Sequence, residues 1–574
     1  MSRSADMALF AAPAVPARFR FRIDWPQVPV YGWLALIVLI PNLLLIGTSF
    51  LSVAGGRIKF EPTLANYVRL WHSAGFWRLL EQTFLFSLLG AFLGALVAYP
   101  MAYFVGRVVR NNRSILTVLV LVPLWISLLM RVFSWRLILG QNGVLNSSLV
   151  SSGLLDGPSS AFLYTGSSVV LTFAYISIPF IFVSTLNAFE KIPQSLIEAS
   201  QDLDATTFQT FCHVIWPLTR RSLAIGFSLA FLVTVGDYVT PSMVGGINGT
   251  TLGVLISSQF GIASNWPFGA ALSIALIVAV SIVVALVLWS CPQRGIFSGD
   301  EAPSSGPPPA AGEGPRLGFI GGAMLYGLVV AFLYAPLLLM VVFSFNDSTL
   351  QAFPLQALTF KWYAELAGNS GLIAAGQRSL IVAVCVVVIS SIVGTAFALV
   401  LHYRNLLASR AIELLLTLPL AMPSVVLGIV MVLGTEIVGV PPGLARVVIG
   451  QASFIMPITM LLVLTRLRRL DPSLLEASLD LGASRLQSFL LIVLPLIRGA
   501  AIGGMLLGLT LSADEVMVTL FLAGPSQTLP IWVFNQMRFG FTPSVNAVFT
   551  LLGLFALSTV LIGQVIARRR AVET

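Results

Sequence analysis

The chain has 574 residues, of which 57% are hydrophobic and only 10% charged, with a mean hydropathy of +0.93 and a formal net charge of +9. An ordinary soluble domain carries about 25% charged residues, so this composition excludes a soluble multidomain enzyme and a disordered chain alike. Nor is the positive charge a nucleic-acid signal, because 29 of the 32 basic residues are arginines scattered through short loops rather than gathered on one face.

Taken in chain order, 1–30 reads as a cytoplasmic segment. It lacks the short apolar core and A-x-A site of a cleaved signal, so the run starting at Tyr31 is expected to be an uncleaved first span. Six apolar runs follow near 31–53, 82–105, 114–131, 167–188, 222–243 and 268–291, making one unit of 31–296. Residues 297–315, FSGDEAPSSGPPPAAGEGP, contain no apolar run and read as a flexible linker between two once-separate chains. Six more runs near 317–345, 379–402, 411–435, 447–465, 499–521 and 546–566 make a second unit of 316–574. Twelve spans of about 22 residues use roughly 260 residues, which suits this length. The fold class is therefore all-α and integral to the lipid bilayer. With both termini placed in the cytoplasm, 22 of the 32 basic residues fall on the inner side, as the positive-inside rule asks.

The two units are repeats. At an offset of 278, Ser195–Arg220 lies on Ser473–Arg498 with 13 of 26 positions identical. Each unit has six spans, so both copies keep one orientation and the repeat is parallel. The repeated segment follows the fourth run of each unit on the cytoplasmic side. Leu196, Ala199, Leu203 and Ala205 alternate at helical spacing with Glu198, Gln201 and Asp202; Leu474, Ala477, Leu481 and Ala483 do so with Glu476 and Asp480. Small residues let a second surface approach closely. A turn must follow: Gly482 accepts positive φ cheaply, whereas Asp204 in the first copy is a poorer left-handed residue. An amphipathic connector lying on the membrane is the plainer alternative, but it does not explain two copies at matching places in matching topology.

EASQDLDA-x11-P (198–217) and EASLDLGA-x11-P (476–495) resemble the EAA motif of ABC importer permeases. The resemblance covers nearly the whole chain. LWISLLMRVFSWRLILGQNGVLN (124–146), GDYVTPSMVGG (236–246) and NWPFGAALS (265–273) are similar to the first permease subunit of spermidine/putrescine importers. FSFNDS (343–348), LTFKWYAEL (358–366), LDPSLLEASLDLGAS (470–484) and LSADEVMVTLFLAGP (511–525) are similar to the second. The resemblance implies a type I permease fold of two six-span halves in a bacterial inner membrane. It implies that two ABC ATPase subunits dock on 195–218 and 473–496 through Glu198, Ala199, Asp202, Asp204, Ala205, Glu476, Ala477, Asp480, Gly482 and Ala483. It also implies that a periplasmic substrate-binding protein docks on 54–79, 132–166, 346–378 and neighbouring outer segments. The solute implied is a polyamine or similar small organic cation, with ferric iron, sulfate, thiamine and phosphonate importers as alternatives on the same machinery. The chain departs from the motif at Ser200 and Ser478, which replace the second Ala, and at Asp204, which replaces Gly and implies a less regular first turn or unequal partners.

No P-loop is present, and none of Lys59, Lys191 and Lys361 sits in such a context. The expectation is a non-catalytic subunit with no cofactor of its own, ATP-Mg being held by the partner subunits. His72, His213 and His402 are isolated, and Cys212, Cys291 and Cys385 have no partner spacing, so neither a metal site nor a disulfide is expected. Ionisable residues within a span face an interior by default. Asp237 in the fifth run, and Asp514 and Glu515 in the eleventh, are the candidates. The repeat sets Asp237 over Glu515, as if the two faced each other across a pseudo-twofold axis. They either attract a cation along the path, with Tyr238 and Trp266 stacking on it, or cap neighbouring helices. Arg131 and Arg136 read as a snorkelling outer boundary of the third span. A 12-span secondary carrier of two parallel halves would share the topology, but not the duplicated polar segment.

Overall fold

The computed structural model describes residues 27–54, 57–109, 112–290, 316–348, 355, 357–403, 409–539, 543–555 and 557–558. The linker 297–315, most of the N-terminal segment and the basic residues 568–570 lie outside the described residues. With the helices numbered in chain order as introduced, the first half contains α1 (Val28–Ser49), α2 (Ala74–Val108), α3 (Arg113–Trp125), α4 (Leu128–Ser151), α5 (Gly166–Lys191), α6 (Gln194–Asp202), α7 (Thr207–Val235) and α8 (Trp266–Val287). The second contains α9 (Phe319–Phe343), α10 (Ser370–Tyr403), α11 (Ser409–Ala421), α12 (Ser424–Ile437), α13 (Leu444–Leu467), α14 (Pro472–Asp480), α15 (Leu486–Asp514), α16 (Leu529–Phe539) and α17 (Ser544–Phe555).

Nine of these helices are long and apolar enough to cross a membrane. The bent pairs α3–α4 and α11–α12 bring the number to eleven, and α17 is shorter. The sequence places a single apolar run at the third position of each half, and in the structure each of those runs is a broken helix. α3 and α4 meet at 89°, and α11 and α12 at 111°. Pro123 and Pro419 each stand four residues before the end of the break, at Ser127 and Pro423. A proline inside a helix removes a donor and clashes with the preceding turn. The apolar run continues unbroken through both bends, so hydropathy alone gives no sign of them.

Close packing is set by small residues. A Cβ on Gly90 of α2 would lie 2.5 Å from the Phe173 Cβ of α5, and one on Gly94 would lie 2.7 Å from that of Ser177. In the second half, Gly504 of α15 leaves room for Thr459 of α13. Where water is absent, helices associate through such close approach rather than through hydrophobic exclusion. Buried hydroxyls turn back to their own helix: Thr172, Ser177 and Thr185 each donate to the carbonyl four residues earlier.

The first span of each half crosses to the other. Pro41 of α1 packs where a Cβ on Gly434 of α12 would stand, at 2.5 Å. Gly322 of α9 accommodates Phe104 of α2. Tyr326 and Tyr334 of α9 donate to the carbonyls of Leu116 and Leu119 on α3, at 2.8 and 2.9 Å.

Candidate functional site

The two repeated polar segments fold alike. α6 and α14 are nine-residue helices at equivalent positions, and Glu198, Ala199, Asp202, Glu476, Ala477 and Asp480 are all exposed on them. Each ends in the same turn. Asp204 N–H donates to the Gln201 carbonyl (2.9 Å) and Ala205 N–H to that of Ser200 (3.1 Å); Gly482 and Ala483 repeat this on Leu479 (2.9 Å) and Ser478 (3.1 Å). This is the paired C-terminal bonding of a Schellman turn. Asp204 takes φ +57° where Gly482 takes +83°. The expected irregularity at Asp204 is thus corrected: aspartate is among the few non-glycine residues that tolerate this conformation.

The turn throws one apolar side chain outward in each copy. Leu203 is 83% exposed and Leu481 88%; five residues on, Phe208 is 74% exposed and Leu486 66%. The exposed apolar residues thus recur in both copies alongside the exposed acids. The serines that depart from the motif are also matched: Ser200 Oγ shares a hydrogen bond with Thr210 Oγ1 (2.7 Å), and Ser478 Oγ donates to Ser488 Oγ (2.8 Å). They tie each short polar helix to the start of α7 or α15. Sequence reading treated serine as a substitute for alanine; the hydroxyl ten residues later in both copies was the signal for the tie. A wide π turn follows at Phe211–Ile215 and Phe489–Val493, just before Pro217 and Pro495. Those prolines have no N–H to give the turn below, which accounts for the widening. The copies differ at their start. Asp471 caps α14 through the Ser473 N–H, which holds its carboxyl below the usual carboxylate range, whereas Pro193 caps nothing in the first copy.

Replacing Asp204 by valine, which tolerates positive φ poorly, is expected to destabilise the first turn by about 1–2 kcal/mol. Hydrogen exchange at Asp204 and Ala205 should then speed up about tenfold, with α14 unaffected. Unchanged exchange would show that the turn does not depend on this residue.

The acids occupy a different place from that expected. α7 ends at Val235 and α15 at Asp514, so Asp237, Tyr238 and Glu515 stand just past the helix ends. Asp237 and Glu515 each engage their own loop rather than each other. Asp237 Oδ1 accepts from the N–H groups of Val239 (2.7 Å) and Thr240 (3.1 Å), while Oδ2 accepts from the Thr240 hydroxyl. Glu515 Oε1 accepts from the Val518 N–H (2.8 Å). Both act as caps that restart the chain after a helix.

The halves meet at the helix breaks. Asp514 reaches across to the start of α4, where one oxygen accepts from the Ser127 hydroxyl and the other from the Leu128 N–H (2.7 Å). An anion is favoured at a helix N-terminus. The equivalent position in the first half is Gly236, which lies against the other break: a Cβ there would stand 2.8 Å from the Pro423 Cα. Tyr238 is buried, with its ring 6.0 Å from that of Phe521 in the second half. Trp266 packs on Phe260 at 5.9 Å. Arg131 and Arg136 are not a snorkelling boundary. Arg131, on the first turn of α4, is 7% exposed and lies in the field of Asp514 and Asp237. Arg136 donates to the Met537 carbonyl of α16 (3.1 Å). The bend explains the difference, since it turns α4 back among other helices. A cavity beside Asp514 is lined by Trp125, Ser127, Thr510 and Phe549.

Two repeated helical halves meeting at broken helices, each with an exposed polar helix-and-turn, define a membrane transport permease rather than an enzyme. The model of the family described as binding-protein-dependent transport system inner membrane component matches residues 76–290 and again 390–571, and the chain belongs to that family. Such permeases work with ATPase subunits and a periplasmic binding protein and sit in the inner membrane. Among its relatives is the spermidine/putrescine transport system permease protein PotB of Escherichia coli (strain K12), 34% identical over 46% of this chain and 94% of that one. PotB of Haemophilus influenzae is 33% identical over 44% of this chain and 89% of its own. The putrescine transport system permease protein PotI of Escherichia coli (strain K12) is 36% identical over 38% of this chain and 81% of its own. Each is nearly spent on less than half of this chain, and the family match is double, so two permease units are fused here.

Proposed function

We propose that this chain forms the whole membrane path of an ATP-driven polyamine importer. Its units are 31–296 and 316–574, joined by 297–315, and both termini lie in the cytoplasm. The observation that carries the reading is that relatives named for spermidine and putrescine align with it over most of their own length. Two ABC ATPase subunits, holding ATP-Mg, dock on the paired turns through Glu198, Ala199, Asp202, Asp204 and Ala205, and through Glu476, Ala477, Asp480, Gly482 and Ala483. The exposed Leu203 and Leu481 supply apolar anchors. A periplasmic binding protein delivers solute to the outer face. Asp237, Tyr238, Asp514 and Glu515 stand along the path, where carboxylates and aromatic faces attract an alkylammonium.

The test is uptake of labelled putrescine and spermidine into vesicles holding the chain with its ATPase and binding protein. ATP-dependent accumulation of either is the expected result. Movement of an anion instead would overturn the polyamine reading, and exchange without ATP would overturn the ATP-driven one.

A further inference from the structure

Asn546 stands on the first turn of α17 and is fully buried, yet neither its Oδ1 nor its Nδ2 has a hydrogen-bond partner among the described residues. A buried polar group left this way costs about 1–3 kcal/mol, a cost that leucine, of nearly the same shape, would avoid. Counted from Pro267 and Pro543, which open the last helix of each half, its counterpart is the buried Ala270, so packing of the repeat does not call for an amide here. Phe549 follows three residues on, along the same side of the helix, and lines the cavity beside Asp514. That cavity, of about 50 Å³, has room for an ammonium head and its first methylenes. Of the three acids near the crossing only Asp514 lines it; Asp237 and Glu515 are bonded within their own loops. The Ser127 hydroxyl and the Leu128 N–H favour the ionised form of Asp514, and each carboxylate oxygen keeps a second lone pair. Thr510 Oγ1 donates to the Leu507 carbonyl (2.9 Å) and can still accept. Trp125 and Phe549 put aromatic rings in the wall, which among the described residues contains no basic side chain. Arg131 acts on Asp514 and on Asp237 from outside that wall and tempers the pull on a cation, as a path that must release its solute requires. In the first half Gly236 takes the place of Asp514 with Pro423 packed against it, so the arrangement occurs once.

We propose that the cavity at Asp514 receives one primary ammonium group of the solute and that Asn546, reached past Phe549, is the next polar contact on its way. This rests on the polyamine reading and narrows it to one side of the crossing. Asp514 supplies the charge, Thr510 a neutral acceptor, and Trp125 a ring face on which an alkylammonium is held. The solute's N–H groups supply the donors that Asn546 Oδ1 does not find within the chain. The apolar remainder of the wall suits the methylenes between one ammonium and the next.

The experiment measures ATP-dependent putrescine uptake into vesicles holding the full complex, together with the unfolding midpoint of each variant in detergent. Asn546→Leu is expected to keep or raise the midpoint, because it removes an unpaired amide, and to lower uptake about tenfold. Asn546→Ser retains an acceptor and should keep most of the uptake. Trp125→Leu should lose about fivefold, and Trp125→Phe, which retains a ring face, much less. A lower midpoint in Asn546→Leu would make the amide structural and overturn the inference. So would wild-type uptake by a stable Asn546→Leu or Trp125→Leu complex, or equal losses in the leucine and serine variants; in each case the polyamine reading stands. If the wild-type complex moves neither putrescine nor spermidine, that reading fails and this inference with it.

Discussion

A chain carrying both Glu198→Lys and Glu476→Lys is expected to reach the membrane in normal yield and import almost nothing. Both glutamates are exposed on short helices that pack nothing over their outer faces, so folding does not depend on them. Among the described residues neither makes an ion pair that the change would break. On a docking surface the effect is large, because placing like charges opposite each other costs several kcal/mol. Two reversals, one per docking site, should lower ATP-driven uptake by about a hundredfold and release the ATPase from the purified complex. The single variants should show intermediate losses that differ, since only the second helix has a side-chain cap at its start. Wild-type uptake by the double variant would remove these segments from the coupling role.

The second large effect is expected at Asp514→Ala. This change leaves the Leu128 N–H and the Ser127 hydroxyl without their acceptor and removes a negative charge that acts on the buried Arg131. Leaving a buried donor without its acceptor typically costs about 1–3 kcal/mol, and two donors lose theirs here. The loss falls on the join between the halves, so the unfolding midpoint in detergent should drop by several degrees and transport should fail. Asp514→Asn keeps an acceptor for the helix start and should lose less. A midpoint unchanged in the alanine variant would mean that the crossing does not hold the halves together.

Much of this architecture is legible in the sequence, for reasons that can be named. The duplicated segment is polar in an apolar chain, and its two copies report the same helix and turn twice. Gly482 marks the left-handed residue of one copy, and the offset of 278 transfers that mark to Asp204. The crossing is not legible in the same way. Hydropathy registers how apolar a stretch is, and the residues around Ser127 and Pro423 remain apolar where the helix turns by roughly a right angle. Once the helix bends, position along the run no longer measures depth. Arg131 therefore looks like the end of a span in sequence but is enclosed in space. Asp237 and Glu515 fail differently: their alignment is correct, but equivalence under a pseudo-twofold does not require contact. Each carboxylate finds donors two or three residues ahead, closer than anything across the axis.

The exchange of first spans has a consequence for how the protein is made. α1 leans on the second half and α9 on the first, so each half synthesised alone would expose a contact surface meant for the other. In a two-chain assembly those surfaces must wait for a separately translated partner. Here the partner follows on the same messenger at a fixed one-to-one stoichiometry, and a flexible tether typically holds it at an effective concentration in the millimolar range. A half that always meets the same mate can carry a feature that makes sense only beside it. The carboxylate of Asp514, which stands where the first half has Gly236 and bonds to the start of α4 in that first half, is such a feature.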